Sequence, residues 1–200
     1  MDVSAHVFDT PEALSPFLQR TEADPRPVIA MTCGIAGSGK SSLSKWIVSN
    51  HPSFQRLSID AYIYNHYGLY NVDYPANKYN SYQQEAENAL RQELTRLVRQ
   101  GTGDAILDFS FAFQETRDDW KSLIESSGGR WVLVYLDVED DELRRRVRAR
   151  NELDIKDGDS AFLVTQEILE SFITGFERPI SEGEIVLCLN NNNLDGDTEP

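Results

Sequence analysis

The residues with the clearest chemical meaning form a short glycine-rich segment, the phosphate loop (residues 34–41). It reads Gly-Ile-Ala-Gly-Ser-Gly-Lys-Ser and fits the pattern GxxxxGK[ST] directly after an apolar run. Glycines let backbone N–H groups approach a polyanion, and the start of the next helix adds a positive field. The loop lysine then reaches the β- and γ-phosphates of a nucleotide, and the loop serine binds Mg²⁺. The predicted phosphate-binding residues are Gly34, Ala36, Gly37, Ser38, Gly39, Lys40, Ser41 and Ser42, with Ser41 also on the metal.

Two aspartates stand at the carboxyl ends of predicted strands. Asp60 comes after the second strand, where a carboxylate can accept a proton from a substrate hydroxyl that attacks phosphorus. It can also cap the helix that begins at Ala61, and both roles can hold at once. Asp108 ends an apolar run, the Walker B arrangement in which an acid supports Mg²⁺ directly or through water. We expect Asp60 to be a general base and Asp108 to assist the metal.

A cluster of arginines falls in the predicted helix 140–150, in a chain whose net charge is −14. Arg146 and Arg150 stand four residues apart and therefore share a helix face. One guanidinium can stack on adenine while the other binds phosphate oxygens. We interpret these two as nucleotide contacts. The remaining members, which we expect to pair with acids of the same helix, are Arg144, Arg145 and Arg148.

Seven of the eight tyrosines fall between Tyr62 and Tyr82. Phenol groups stack on planar or sugar substrates and offer hydroxyls for hydrogen bonds. The segment is therefore a candidate acceptor site, with Tyr62, His66 and Tyr70 as its candidate residues. A satellite hydrophobic core beneath a long loop explains the composition equally well, and both interpretations stay open.

Apolar runs alternate with helical patterns along the chain. The predicted strands are 28–33, 54–59, 105–108, 131–136 and 185–189. The predicted helices are 42–50, 79–100, 115–126, 140–150 and 165–176, after a short N-terminal helix at about 9–20. This order predicts an α/β fold with a parallel sheet of about five strands, helices on both faces, and ligands at the carboxyl ends of the strands.

Size and charge limit the domain organisation and the partners. The 200 residues suit a single domain over 1–189, with a lid region at about 143–160 and a disordered acidic tail over 190–200. The negative total charge disfavours nucleic acid and favours a small acceptor. Cys33 and Cys188 are interpreted as buried hydrophobes. Because no signal-like start and no bilayer-length apolar run is evident, we expect a cytoplasmic location and no membrane contact.

The order of these landmarks resembles the zeta-toxin-like and polynucleotide-kinase-like group of P-loop kinases. The resemblance covers about residues 28–189 and is carried by 34–42, 58–60, 108–117 and 143–151. It implies a three-layer, nucleoside-kinase-like P-loop NTPase fold with ATP at the phosphate loop. It also implies that Asp60 deprotonates an acceptor hydroxyl, that the lid arginines meet the nucleotide, and that Arg117 contacts phosphate or substrate.

These observations together predict an ATP- and Mg²⁺-dependent phosphotransferase that moves the γ-phosphoryl group to a hydroxyl of a small molecule. The expected catalytic residues are Lys40, Asp60, Arg146 and Arg150. One alternative is a kinase for the 5′-hydroxyl of a polynucleotide, which would need a basic channel. Another is a nucleotide-dependent switch that hydrolyses slowly and acts through a partner protein.

Overall fold

The structure, a computed structural model, describes residues 6–153, 157–160 and 162–188. Within these residues six parallel strands form one sheet, in the order β1-β6-β5-β2-β4-β3. The strands are β1 His6–Phe8, β2 Val28–Cys33, β3 Phe54–Ser58, β4 Asp104–Asp108, β5 Arg130–Leu136 and β6 Ile185–Leu187. The predicted tail, 190–200, and part of the predicted lid region, 154–156, lie outside the described residues.

Helices connect these strands and pack on the sheet. They are α1 Ser15–Leu18, α2 Lys40–Asn50, α3 Ile59–Tyr67, α4 Tyr79–Gln100, α5 Gln114–Ser127, α6 Asp140–Asn151 and α7 Gln166–Gly175. Short 3₁₀ turns occupy Pro11–Leu14 and Ala76–Lys78. The predicted α/β architecture is therefore confirmed.

The central strand β2 shows why both faces of the sheet are covered. All six of its residues are buried, and successive side chains of a strand point to opposite faces. Ala30 packs in one core with Leu43 of α2. Met31 packs in a second core with Leu94 of α4. A strand buried on both faces needs a continuous apolar sequence, which β2 has.

The sheet has six strands rather than the expected five. The additional strand, β1, pairs in parallel with β6 through His6 opposite Ile185. It is three residues long and its first two residues are exposed, as is usual for a short strand at a sheet edge. So short and exposed a segment carries no apolar run that would have indicated a strand.

The predicted N-terminal helix at about 9–20 is wrong in extent. The chain forms the 3₁₀ turn Pro11–Leu14 and then a single helical turn, α1. Pro16 lies inside the predicted helix, has no N–H to donate, and its ring would collide with the carbonyl of residue 12 in a continuous helix. Thr10 occupies the N-cap position without a side-chain hydrogen bond.

Two further expectations concern the cysteines and the possibility of membrane-spanning helices. Cys33 and Cys188 are both free; Cys33 is buried, whereas Cys188 is partly exposed rather than buried as expected. In the described part of the chain, every helix is too short or too polar to traverse a lipid bilayer.

Candidate functional site

A cavity of about 1320 Å³ opens at the carboxyl ends of β2, β3 and β4. It lies between the phosphate loop, the start of α2, the α3–α4 region, α6 and α7, so residues far apart in sequence meet there. The predicted site residues that line it are Gly34, Ala36, Gly37, Gly39, Lys40, Ser41, Ser42, Asp60, Tyr70, Asp108, Arg146 and Arg150. The predicted residues that do not line it are Ser38, Tyr62, His66 and Arg117.

The phosphate loop has a backbone shape that needs its glycines. Gly37 and Gly39 have φ of 86° and 100°, a region that side chains of L-residues rarely adopt. A Cβ atom on Gly37 would also lie 3.0 Å from Val147 Cγ2, because α6 packs directly on the loop. The N–H of Gly34 donates to the carbonyl of Ser110 at 3.0 Å and ties the loop to the segment after β4.

The residues of the loop fit an anionic ligand. The Ser38 hydroxyl is buried and has no hydrogen-bond partner among the described residues. Helix α2 begins after Gly39 without a side-chain cap, so its first N–H groups and its positive end face the loop. Lys40 Nζ donates to the carbonyl of Ile35 at 2.9 Å, and burial holds the pKa of its ammonium below the ordinary value. These donors match a nucleotide phosphate.

Asp60 lies in the first turn of α3 and its side chain is accessible from the cavity. The capping role considered for it is wrong, because Ser58 is the N-cap and accepts a hydrogen bond from the N–H of Ala61 at 3.3 Å. The surrounding walls desolvate the carboxyl and raise its pKa, and the charge of Asp108 raises it further. Lys40 acts in the opposite direction. The carboxyl therefore lines the cavity with a strengthened tendency to hold a proton.

Asp108 belongs to a chain of charged residues that sequence reasoning missed in part. Arg56 of β3 donates through Nε to Asp108 Oδ2 at 2.8 Å, and its Nη2 contacts both Asp108 and Asp159. Asp159 also pairs with Lys45 of α2 at 2.5 Å. Although burial opposes it, these two cations hold the pKa of Asp159 below its ordinary value. The one available signal was Arg56 itself, because a basic residue in a strand of the sheet needs an acidic partner where it is partly buried.

Helix α6 brings its arginines to the loop side of the cavity. Arg146 donates through Nε to Glu142 at 2.6 Å and through Nη1 to the carbonyl of Gly37 at 3.4 Å. Burial lowers the pKa of Arg150, while the nearby carboxylate of Asp60 opposes that effect. Arg144 pairs with Asp141 of its own helix, as expected, and also with Glu170 of α7. One face of α6 therefore directs Arg146 and Arg150 to the cavity, and another face packs on α7 through Arg144.

The tyrosine-rich segment divides between core and cavity. Tyr62 stacks on His66 with ring centroids 4.0 Å apart, and it belongs to a satellite core around Ile63. The satellite-core interpretation therefore describes Tyr62, whereas His66 is exposed beside that core, and neither side chain lines the cavity. Tyr70 lines the cavity, together with Tyr79, which was not singled out from the sequence.

The implied role of Arg117 in contacting substrate is wrong. Its side chain has no solvent exposure and donates to Glu182 at 2.8 and 2.5 Å. It also donates to the carbonyls of Phe111 and Glu177 at 2.8 and 2.9 Å. A guanidinium held in this way joins α5 to the segment before β6 and does not reach the cavity.

The sequence comparisons agree with this architecture. A family model described as AAA domain matches residues 29–179. This chain belongs to the AAA domain family. The match begins in β2 and includes the phosphate loop, Asp60, Asp108 and the arginines of α6. A search of curated protein sequences found no match to this chain.

Solved structures similar to this AAA domain include several kinases. A candidate kinase from Chloroflexus aurantiacus j-10-fl has a TM-score of 0.64 at 15% identity, over 82% of this chain and 88% of its own. Chaetomium thermophilum Kti12, in complex with ADP-AlF3, has a TM-score of 0.59 at 13% identity, over 82% of this chain and 90% of its own. Mycobacterium tuberculosis APS kinase CysC, in complex with AMPPNP and APS, has a TM-score of 0.54 at 17% identity, over 86% of this chain and 92% of its own. At these identities the likeness concerns the fold, and the expected P-loop kinase fold is confirmed.

Proposed function

We propose that this AAA domain protein is an ATP- and Mg²⁺-dependent phosphotransferase that moves the γ-phosphoryl group to a hydroxyl of a small molecule. The observation that carries the proposal is that one cavity is lined by the phosphate loop, by the carboxyl of Asp60 and by three arginines of α6, Arg145, Arg146 and Arg150. Phosphoryl transfer requires little more than a phosphate cradle, a proton acceptor and positive charge around the transferred group.

The phosphate side of the cavity would hold the nucleotide. The loop N–H groups and Lys40 would bind phosphate oxygens, and the buried Ser38 hydroxyl would gain the partner that it lacks in the described residues. Ser41, with help from Asp108, would hold Mg²⁺, which supplies charge neutralisation to the phosphates when bound. In the described residues no group of three or more acidic, histidine or cysteine side chains could hold a metal alone, so phosphate oxygens would complete its coordination.

Asp60 would act on the acceptor. As the acceptor oxygen forms its bond to the γ-phosphorus, the hydroxyl proton passes to the Asp60 carboxylate, and the bond from that phosphorus to the β-phosphate oxygen breaks to release ADP. A raised pKa makes this carboxylate a better proton acceptor than one in water. Arg146 and Arg150 would stabilise the negative charge that develops on the transferred group.

The two alternatives receive less support from the residues around Asp60. The α3–α4 side of the cavity contributes no lysine or arginine to the described lining, whereas a polynucleotide backbone needs several. A slowly hydrolysing switch needs no proton-accepting carboxyl dedicated to an acceptor hydroxyl, so the position of Asp60 favours transfer. Both remain outcomes of the experiment below.

The test is an acceptor screen that measures ADP release above the hydrolysis background, with Mg²⁺ and labelled ATP. We expect one class of small alcohols to stimulate ADP release and to acquire the label. A labelled 5′-hydroxyl oligonucleotide forms a separate arm, and its preferential phosphorylation would favour the polynucleotide alternative. Tight ATP binding without stimulation by any alcohol would favour the switch.

A further inference from the structure

One wall of the cavity is aromatic. Tyr70, Tyr79 and Phe162 all line the cavity and pack against one another, with ring centroids 5.5 Å apart for the tyrosine pair. Phe162 lies 4.7 Å from Tyr70 and 4.8 Å from Tyr79. All three rings are half-buried, so each keeps surface for a ligand. We call these three residues the aromatic wall.

The aromatic wall lies on the side of the cavity that carries the proton acceptor. Tyr79 and Asp60 both line this part of the cavity, and the pKa of the Tyr79 phenol is raised chiefly by burial and further by the charge of Asp60. The chain from Asp60 to Gln83 therefore builds the region next to the carboxyl that would receive the hydroxyl proton. An acceptor reaching Asp60 must contact this wall.

Neutral polar groups complement the rings. Asn80 and Gln83 lie in the first turns of α4 and line the cavity beside Tyr79. Both residues are exposed, and each side-chain amide offers two donors and an acceptor. Amides of this kind bind hydroxyl and carbonyl groups of uncharged ligands.

Positive charge is absent from this wall in the described residues. The lysines and arginines that line the cavity belong to α2 and α6, and Lys45 is already paired with Asp159. A phosphate or carboxylate group placed against the aromatic wall would lose its water without gaining a charged partner from the wall, and Asp60 would repel it. Lys40, Arg146 and Arg150 are assigned to the nucleotide and the transferred group. The wall therefore selects against anionic acceptors.

We propose that the acceptor is an uncharged alcohol that carries a flat ring, with the ring on the aromatic wall and its polar groups on Asn80 and Gln83. This inference rests on the proposed function, since it names the class of substrate for the same site. Ring contacts supply binding at low entropic cost, and the amides orient a hydroxyl toward Asp60.

Matched acceptors test the two halves of the assignment separately. Each common ribonucleoside is compared with its 5′- and its 3′-monophosphate, so that every ribose hydroxyl is kept in one of the anionic partners. We expect kcat/KM to be about tenfold or more higher for the nucleoside, because the phosphate group finds no partner. Phenyl glucoside is compared with methyl glucoside, and we expect an advantage of about five- to tenfold for the phenyl ring.

Variants connect these preferences to the wall. Phe162→Ala should raise KM for phenyl glucoside about fivefold or more, with little effect on methyl glucoside or on KM for ATP. Leu163→Ala is the matched control, because Leu163 is the next residue, is half exposed and does not line the cavity. Gln83→Lys should improve kcat/KM for the monophosphates about fivefold or more by adding a cation.

The outcomes separate this inference from the proposed function. Phosphorylation of monophosphates at or above the level of nucleosides, or no advantage of phenyl over methyl glucoside, would overturn the assignment while leaving phosphotransfer intact. ATP binding without transfer to any uncharged ring-bearing alcohol of the panel would reject it as well. If calorimetry detects no binding of ATP with Mg²⁺, the proposed function itself fails.

Discussion

Lys40 and Arg117 are both basic side chains shielded from bulk solvent near the end of β2. The charge of each acts to lower the pKa of the Cys33 thiol, although burial raises that pKa overall. Arg117 is fully enclosed and bound by a carboxylate and two carbonyls. Lys40 donates to one carbonyl, and no carboxylate of the described residues forms an ion pair with it. Burial lowers the pKa of Lys40. Burial also acts to lower the pKa of Arg117, but Glu182, Cys33 and Glu177 together raise it above its ordinary value. A satisfied cation stabilises the fold, and an incompletely satisfied one is available to a ligand.

The largest effect on activity is expected at Lys40. Lys40→Ala should reduce phosphate transfer about 10²- to 10³-fold, because it removes a charge that stabilises the developing negative charge on phosphate. It should also weaken ATP binding in calorimetry, without loss of folding. Lys78→Ala is the control, since Lys78 is exposed and lies outside the cavity lining. Equal losses in the two variants would contradict the distinction between the two kinds of cation.

The complementary effect, on stability, is expected at Arg117. Arg117→Met should lower the free energy of unfolding by about 3–5 kcal/mol, because it leaves the buried Glu182 carboxylate with only the longer contact to Lys121 and leaves two carbonyls without their donor. Arg144→Met, which removes two solvent-accessible ion pairs, one with Asp141 of α6 and one with Glu170 of α7, should cost only about 0–1 kcal/mol. Urea unfolding followed by circular dichroism gives both values.

The same variant has a pH signature. Although burial opposes it, Arg117 holds the pKa of Glu182 below its ordinary value of 4.5. A carboxyl whose folded pKa is depressed stabilises the fold above its unfolded pKa, and this contribution is lost as the pH falls through the folded pKa. The stability difference between wild type and Arg117→Met should therefore be full at neutral pH and shrink below 4.5. A difference that is independent of pH would mean that Arg117 acts through packing alone.

The pH dependence of turnover tests the carboxyl on the cavity side. Because the pKa of Asp60 is raised above 3.8, kcat should fall about tenfold per pH unit once the pH drops below that raised value. This acidic fall in kcat should begin above pH 3.8 when turnover is measured at saturating ATP. Activity that returns at neutral pH shows that the fall is not caused by unfolding. Since ionisation of a carboxyl with a raised folded pKa weakens the fold, Asp60→Asn should not destabilise the protein at neutral pH.

The smallest effect is expected in the tyrosine-rich segment. His66→Ala removes a ring that stacks on Tyr62 outside the cavity, so kcat and KM should change by less than about twofold. Tyr70→Ala, which removes a ring from the cavity lining, should raise KM for the acceptor. Steady-state kinetics with one accepted alcohol compares the two. A change in kcat or KM that is larger for His66→Ala than for Tyr70→Ala would indicate that His66 contributes to the acceptor site.

The residues that could be predicted from sequence are those whose signal is local. The phosphate loop follows its strand within a few residues, and α4 was predicted with its observed limits because its apolar residues repeat at helical spacing. Asp60 and Asp108 were found because each stands at or just beyond the carboxyl end of a strand. Lys40 itself begins α2, two residues earlier than expected, because the helix starts inside the motif.

The rest depends on contacts between distant segments. Arg56 meets Asp108 and Asp159, which stand 52 and 103 residues away, and no local pattern records such a meeting. Phe162 joins the aromatic wall across a similar separation. Arg117 looked like one more charged residue on a helix face, because its acidic partner Glu182 lies 65 residues further along the chain.

The most direct test of the account is the comparison of Asp60→Asn with wild type, in one preparation each, by calorimetry with ATP and Mg²⁺ and by label transfer to an accepted alcohol. The account predicts ATP affinity within about twofold of wild type and turnover lower by about two orders of magnitude or more. Asp118→Asn, on the exposed face of α5, should leave both unchanged. Normal transfer by Asp60→Asn would contradict the assignment of Asp60 as the proton acceptor.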